Sequence, residues 1–152
     1  MAIAALDLGK RRIGIAIADN EGLAVHPIGA LERRSLIRDL ESIRARLVEF
    51  EVSQVIVGLP LNMDGSAGPA ARGAETFAHR LHESCGLRVE LFDERLTSFE
   101  AEERLRELSG THARNEGQRI EGRRDKGRID AVAASLILES WLRQRQRQGE
   151  SG

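Results

Sequence analysis

Ala2-Ile3-Ala4-Ala5-Leu6-Asp7-Leu8-Gly9-Lys10-Arg11-Arg12-Ile13-Gly14-Ile15-Ala16-Ile17-Ala18 is the stretch that decides how this chain folds. An apolar run, a tight basic turn and a second apolar run make the pattern of a β-hairpin. Asp7 breaks that pattern: it shares a strand face with Ile3 and Ala5, where a carboxylate is expensive to bury. Two more acids stand in comparably awkward places. Glu94 ends a strand-like run, and Asp130 lies on the apolar stripe of the last helix with Ala133, Ala134 and Ile137. Three misplaced carboxylates in one small domain suggest a shared cation, and so a metal-dependent active site.

Outward from the hairpin, Asp19-Asn20-Glu21-Gly22 is a turn signal, and residues 23–31 can return as a third strand. Pro27 places that strand at an edge. Ser35 can cap a helix carrying Leu36, Leu40, Ile43 and Leu47 at helical spacing. Val55 to Leu59 is an unbroken apolar run, typical of a strand covered on both faces. A loop from Pro60 to Ser66 leads to a second helix marked by Ala70, Ala74, Phe77, Ala78 and Leu81 and ended by Gly86. Arg88 to Phe92 alternates as a fifth strand, and Thr97 with Glu100 forms a capping box for a helix through Leu108. Residues 109–127 lack periodicity and read as a loop. The final helix carries Asp130, Ala133, Ala134, Ile137, Leu138, Trp141 and Leu142 along one stripe.

This order gives an α/β fold with a five-stranded mixed sheet. Strands one to three form an antiparallel meander, and strands four and five arrive by crossovers parallel to strand one. Helices cover both faces. A single domain is expected over residues 1–143, with a polar, frayed tail over 144–152. Sites in such sheets gather at the carboxyl ends of parallel strands. Asp7, Glu94 and the loop from Gly58 to Ser66 all lie at such ends.

Composition narrows the function further. A chain of 152 residues supports one domain with a real core, and its 41% hydrophobic content excludes a disordered protein. Apolar stretches fall short of the ~18 residues a membrane span needs. No basic-then-apolar leader precedes the first strand, so a cytoplasmic protein without membrane partners is expected. The single cysteine, Cys85, rules out an internal disulfide and fits a reducing compartment. A net charge of −1 gives no global attraction to nucleic acid and counts against a simple non-specific binder. Residues 114–128, however, hold six basic against three acidic side chains, and arginine favours bidentate phosphate contacts.

Each acid also has an ordinary explanation. Asp7 can cap the turn amides of Gly9 and Lys10. Asp130 near a helix N-terminus can gain ~0.3–1 kcal/mol from the macrodipole, although that leaves its alignment with Ala133, Ala134 and Ile137 unexplained. Asp93 and Glu94 can be a solvated pair bridged to Arg95. Alternation puts Asp93 with Val89 and Leu91, and Glu94 with Glu90 and Phe92, so the strand pattern does not choose between them. The loop Pro60-Leu61-Asn62-Met63-Asp64-Gly65-Ser66 can present helix-terminal amides to a phosphate, or be a plain loop capped by Asp64 or Ser66. His79 and His82 have no third ligand spaced near them and read as surface residues.

With these residues in hand, the sequence resembles the YqgF family of RuvC-like, ribonuclease H-fold nucleases. The matching stretches are Leu6-Asp7-Leu8-Gly9 with Arg12-Ile13-Gly14-Ile15-Ala16, residues 56–66, Asp93-Glu94-Arg95-Leu96-Thr97-Ser98, and residues 126–134. They follow family order over nearly the whole chain, and the second and third together are highly specific. The resemblance implies a ribonuclease H-like sheet and a phosphodiesterase dependent on Mg²⁺ or Mn²⁺. It also implies trimming of the 5′ end of precursor 16S rRNA, with a Holliday-junction resolvase role attached by analogy. Carried over, the acidic metal-binding and catalytic positions are Asp7, Glu94 and Asp130, with Asp93 in reserve for the middle one. Lys10, Arg11, Arg12, Asn62, Ser66, Arg95, Thr97 and Lys126 flank the acids and are candidate substrate contacts. Expected partners are precursor rRNA, branched DNA and ribosomal particles, with the chain a monomer or weak homodimer. The segment 118–125 departs from the family pattern in being longer and richer in arginine. Rival readings are an actin-like ATPase, which would need two such subdomains, and a catalytically silent RNA-binding assembly factor.

Overall fold

The computed structural model describes residues 1–19, 24–97, 103 and 123–150, with 123–128 and 150 described as backbone. The turn expected at 19–22, the helix expected after Thr97 and the loop as far as residue 122 therefore lie largely outside the described residues.

Five strands follow from the apolar runs: β1 (Ala2–Leu8), β2 (Arg12–Asp19), β3 (Val25–Glu32), β4 (Val52–Leu59) and β5 (Arg88–Asp93). They form one sheet in the order β3-β2-β1-β4-β5, with β1 antiparallel to β2, β2 antiparallel to β3, and β4 parallel to both β1 and β5. This is the ribonuclease H-like arrangement implied by the resemblance. Pro27 sits on the β3 edge, and the register slips between Ile15 and Ala16 so that Ile15 faces Gly29 and Ala16 faces Pro27. Gly29 has φ +132, a conformation few other residues adopt, which lets the edge strand absorb the irregularity.

Helices α1 (Leu36–Glu49) and α2 (Pro69–Cys85) cover one face. Ser35 caps α1, accepting from the Arg38 amide at 3.2 Å. Gly86, at φ 71, ends α2 in the left-handed conformation. On this face Ala4, Leu6, Ile13, Ile15, Ile17, Val55 and Val57 of the sheet pack against Ile43, Leu47, Phe77 and Leu81. The free thiol of Cys85 is half-buried at the margin of this cluster.

The last helix, α3 (Arg123–Glu150), covers the opposite face. Ala134, Ile137, Leu138 and Trp141 meet Ile3, Ala5, Ala16, Ala18, Ile56 and Phe92. Three alanines, Ala5, Ala16 and Ala18, stand among the larger Ile3, Val25, Ile56 and Phe92 on the sheet side of this contact. One expectation needs correcting here. The helix begins at Arg123 and passes through Gly127, where a loop was expected; a helical glycine costs only ~1 kcal/mol, which a long helix can offset. The helix runs as far as Glu150, where polar residues such as Gln and Arg are themselves good helix formers. Among the described residues, no helix is long and apolar enough to cross a membrane.

Candidate active site

Strand alternation sets the site. Ile3 and Ala5 face α3, and Asp7, two residues further on, continues that face to the carboxyl end of β1. Glu90 and Phe92 also face α3, with the Trp141 indole donating to the Glu90 carboxylate. Glu94 follows in the same phase, opening a short 3-10 helix (Glu94–Leu96). Asp130 comes from α3 itself.

Two glycines bring these acids together. Gly14 pairs with Asp7 across the hairpin. A Cβ on Gly14 would meet the Asp130 carbonyl oxygen at 2.0 Å, so only the bare strand lets α3 seat Asp130 beside Asp7. A Cβ on Gly58 of β4 would meet Ile137 Cδ1 at 2.6 Å and Glu94 Cδ at 3.2 Å. Glu94 and α3 thus share the space that Gly58 leaves empty. Sequence reasoning missed both glycines, although an isolated glycine inside a strand is itself a signal of close approach.

The electrostatics report the crowding. Burial, and then the charge of Asp130, raise the pKa of Asp7. Burial, then Asp7, then Asp93, push Glu94 up to about 7. Asp7 therefore feels one acid and acts on the other. Arg12 answers part of this charge: its Nε donates to Asp130 Oδ2 at 2.9 Å, with both side chains largely covered. Among the described residues, no group of three His, Cys, Asp or Glu is closed tightly enough to hold a metal ion. The three acids share one end of the sheet as an open set rather than a finished cage.

The geometry separates Asp93 from Glu94. Asp93 binds Arg95 through Nε at 3.1 Å and Nη2 at 2.8 Å, and accepts from the Arg95 amide at 3.0 Å. Those bonds to Arg95 hold the Asp93 carboxyl below its ordinary pKa. Asp93 is thus the bridged acid, and Glu94 the acid set toward Asp7. The macrodipole account of Asp130 also falls away, since it lies two turns inside α3 rather than at its start.

The candidate substrate contacts divide into groups. Lys10 and Arg11 are exposed at the hairpin turn. Arg33 pins that turn, donating to the Gly9 carbonyl at 2.9 Å and to the Arg11 carbonyl through its amide at 2.7 Å, and pairs with the buried Asp39 at 3.6 Å. Sequence reasoning missed this brace too. Asn62 and Ser66 bond each other at 3.0 Å, and Ser66 donates twice to Asp64, from its amide at 2.9 Å and its hydroxyl at 2.6 Å. Asp64 and Ser66 therefore stiffen their own loop; Gly68, with no side-chain bond, is the α2 N-cap in their place. Arg95 reaches back to the Met63 carbonyl at 3.4 Å and ties this loop to β5. Thr97 closes the 3-10 helix by donating to the Glu94 carbonyl at 2.9 Å, which steadies Glu94. The side chain of Lys126 lies outside the described residues. His79 is exposed and pairs with Glu83, and His82 bonds the Leu87 carbonyl at 2.7 Å, so neither joins the acids.

A sheet in the order β3-β2-β1-β4-β5, with α3 across one face, defines a RuvC-like, ribonuclease H-like fold. Two solved structures share it: Thermus thermophilus RuvC in complex with Holliday junction substrate, at TM-score 0.57, 16% identity and 95% and 96% coverage of the two chains, and the fowlpox virus Holliday junction resolvase, at 0.53, 15%, and 95% and 99%. The family model RuvX, described as Holliday junction resolvase, matches residues 1–144, and the chain belongs to that family, also called YqgF. Relatives named "Putative pre-16S rRNA nuclease" include one from Anaeromyxobacter sp. (strain Fw109-5), 49% identical over 90% of this chain and 93% of its own. Another, from Myxococcus xanthus (strain DK1622), is 44% identical over 90% and 84%.

Proposed function

We propose that this chain is a divalent-metal-dependent endonuclease that hydrolyses phosphodiester bonds of structured nucleic acid, with the 5′ end of precursor 16S rRNA as its substrate. One observation carries the reading: Gly14 and Gly58 leave room for Asp130 and Glu94 at the Asp7 end of the sheet, where burial and then Asp130 raise the pKa of Asp7, and burial, then Asp7 and Asp93, raise that of Glu94. Carboxylates crowded in this way are destabilising on their own, and a hard cation relieves them. The donor set fits Mg²⁺ or Mn²⁺, which favour carboxylate oxygen. When bound, such an ion polarises the phosphoryl group and makes attacking water more acidic.

The protein's own contribution is positional. Asp7, Glu94 and Asp130 would be both ligands and catalytic acids. Gly14 and Gly58 keep them adjacent, and the Asp93–Arg95 bridge with Thr97 fixes the Glu94 backbone. Lys10 and Arg11 extend from the braced turn to take phosphates on one side of the cut, and Asn62, Ser66 and Arg95 would line the other, with Lys126 kept from the sequence as a further candidate contact. Precursor rRNA within ribosomal particles is the proposed partner, bound by a monomer or weak homodimer in the cytoplasm. The names of the 41–49% identical relatives support rRNA over a DNA junction.

Purified protein incubated with precursor 16S rRNA and, in parallel, a four-way DNA junction tests this. Cleavage of the RNA with Mn²⁺, none in chelator and none by Asp7→Asn is expected. Preference for the junction would move the substrate to DNA. Retained RNA affinity without cleavage would make the chain a silent assembly factor.

A further inference from the structure

We infer that Arg12 is a resident counter-ion of the acid cluster, holding Asp130 in the metal-free protein and setting metal affinity by competing for that carboxylate. This rests on the metal-dependent reading above. The Arg12 Nε lies 2.9 Å from Asp130 Oδ2, with the side chains only 19% and 28% exposed. The pair is mostly out of water, where charges are weakly screened. Both partners are fixed by backbone. Arg12 opens β2 two residues before Gly14, on the same strand face, and the missing Cβ of Gly14 seats the Asp130 main chain against that strand.

The consequences follow from charge. Asp130, alone of the three proposed ligands, has the Arg12 guanidinium against it among the contacts of the described residues. The set is also not closed around an ion in this conformation, among the described residues. A divalent cation approaching Asp130 meets like charge, so Arg12 must swing away or stand beside the ion and weaken it. Either way the sign is the same. Arg12 keeps the empty site stable at the expense of ion affinity, and a substrate phosphate that draws the guanidinium off would release Asp130 for the ion.

Calorimetric titration of Mn²⁺ into the metal-free full-length protein tests this, with Arg12→Gln, Arg12→Ala and Arg12→Lys alongside. Loss of the charge in the Gln and Ala variants should tighten Mn²⁺ binding on the order of tenfold, while Lys, which keeps the charge, stays within about twofold of wild type. In chelator the two neutral variants should melt below wild type, and Mn²⁺ should raise their melting temperature by more. Wild-type binding with no gain in either neutral variant overturns the role of Arg12 alone. Absence of Mn²⁺ binding in every variant, wild type included, overturns the metal-dependent reading and this inference with it.

Discussion

The α-carbon of Gly14 lies directly beneath the main-chain carbonyl of Asp130, so close that a methyl group there would meet the oxygen at 2.0 Å. Backbone stands on both sides of this contact, so no rotamer change can relieve it. Gly14→Ala should force the Asp130 turn of α3 off the sheet, costing about 1–3 kcal/mol or more. Thermal unfolding would show the loss, and Mn²⁺-dependent cleavage should fall far more steeply than stability.

Gly58→Ala should behave differently. Its nearest obstacles are the Ile137 Cδ1 tip at 2.6 Å and the Glu94 side chain at 3.2 Å, both of which can rotate. A stability cost of about 1 kcal/mol is expected. Displacing Glu94 should still lower kcat, so the variant separates site geometry from folding in a paired measurement of activity and melting temperature.

Asp7→Asn should remove cleavage yet leave the metal-free protein as stable as wild type or more so. Asp7 is held above its ordinary pKa by burial and Asp130, which marks an ionised form that costs stability. A gain on the order of 1 kcal/mol, or roughly 2–4 °C, should appear in chelator. A large drop in melting temperature would show that Asp7 serves the fold instead.

Glu94 gives a pH signature. Its pKa rises from 4.5 to about 7 on folding, so the folded state holds the proton more tightly than the unfolded state. The stabilisation is complete below pH 4.5 and is lost as pH climbs through about 7. In chelator, the difference in stability between wild type and Glu94→Gln should shift against wild type across that window, by on the order of 2 kcal/mol. Denaturant unfolding at pH 5 and pH 8 measures it, and a difference independent of pH would contradict the placement of Glu94.

Asp93→Asn supplies the contrast. Its bridge to Arg95 is partly exposed, so the change should cost under about 1 kcal/mol. Cleavage should persist with a raised KM as the 60–66 loop loosens, whereas Glu94→Gln should lower kcat. Equal loss of kcat in the two variants would mean that Asp93, too, serves the chemistry.

Much of this was legible in the residue string because it depends on local periodicity. The apolar runs around Asp7 and Val55–Leu59 declared the strands, and the phase of Ile3, Ala5 and Asp7 put the acid on the α3 face. The stripe from Ala134 to Trp141 declared the helix that meets it. What was not legible depends on contacts between distant segments. Nothing near Gly14 announces that Asp130, more than a hundred residues on, will rest against it. Asp93 and Glu94 look equivalent until Arg95 is seen to claim the first. The start of α3 was missed because Gly127 reads as a breaker locally, yet the helix passes through it.

The most direct test of the shared-cation site is anomalous diffraction from crystals of the protein soaked in Mn²⁺. A peak within coordinating distance of the Asp7 and Glu94 carboxylates, with Asp130 turned from Arg12 toward it, is the expected result. Well-ordered crystals with no peak there, or with Mn²⁺ bound elsewhere on the molecule, would contradict the site.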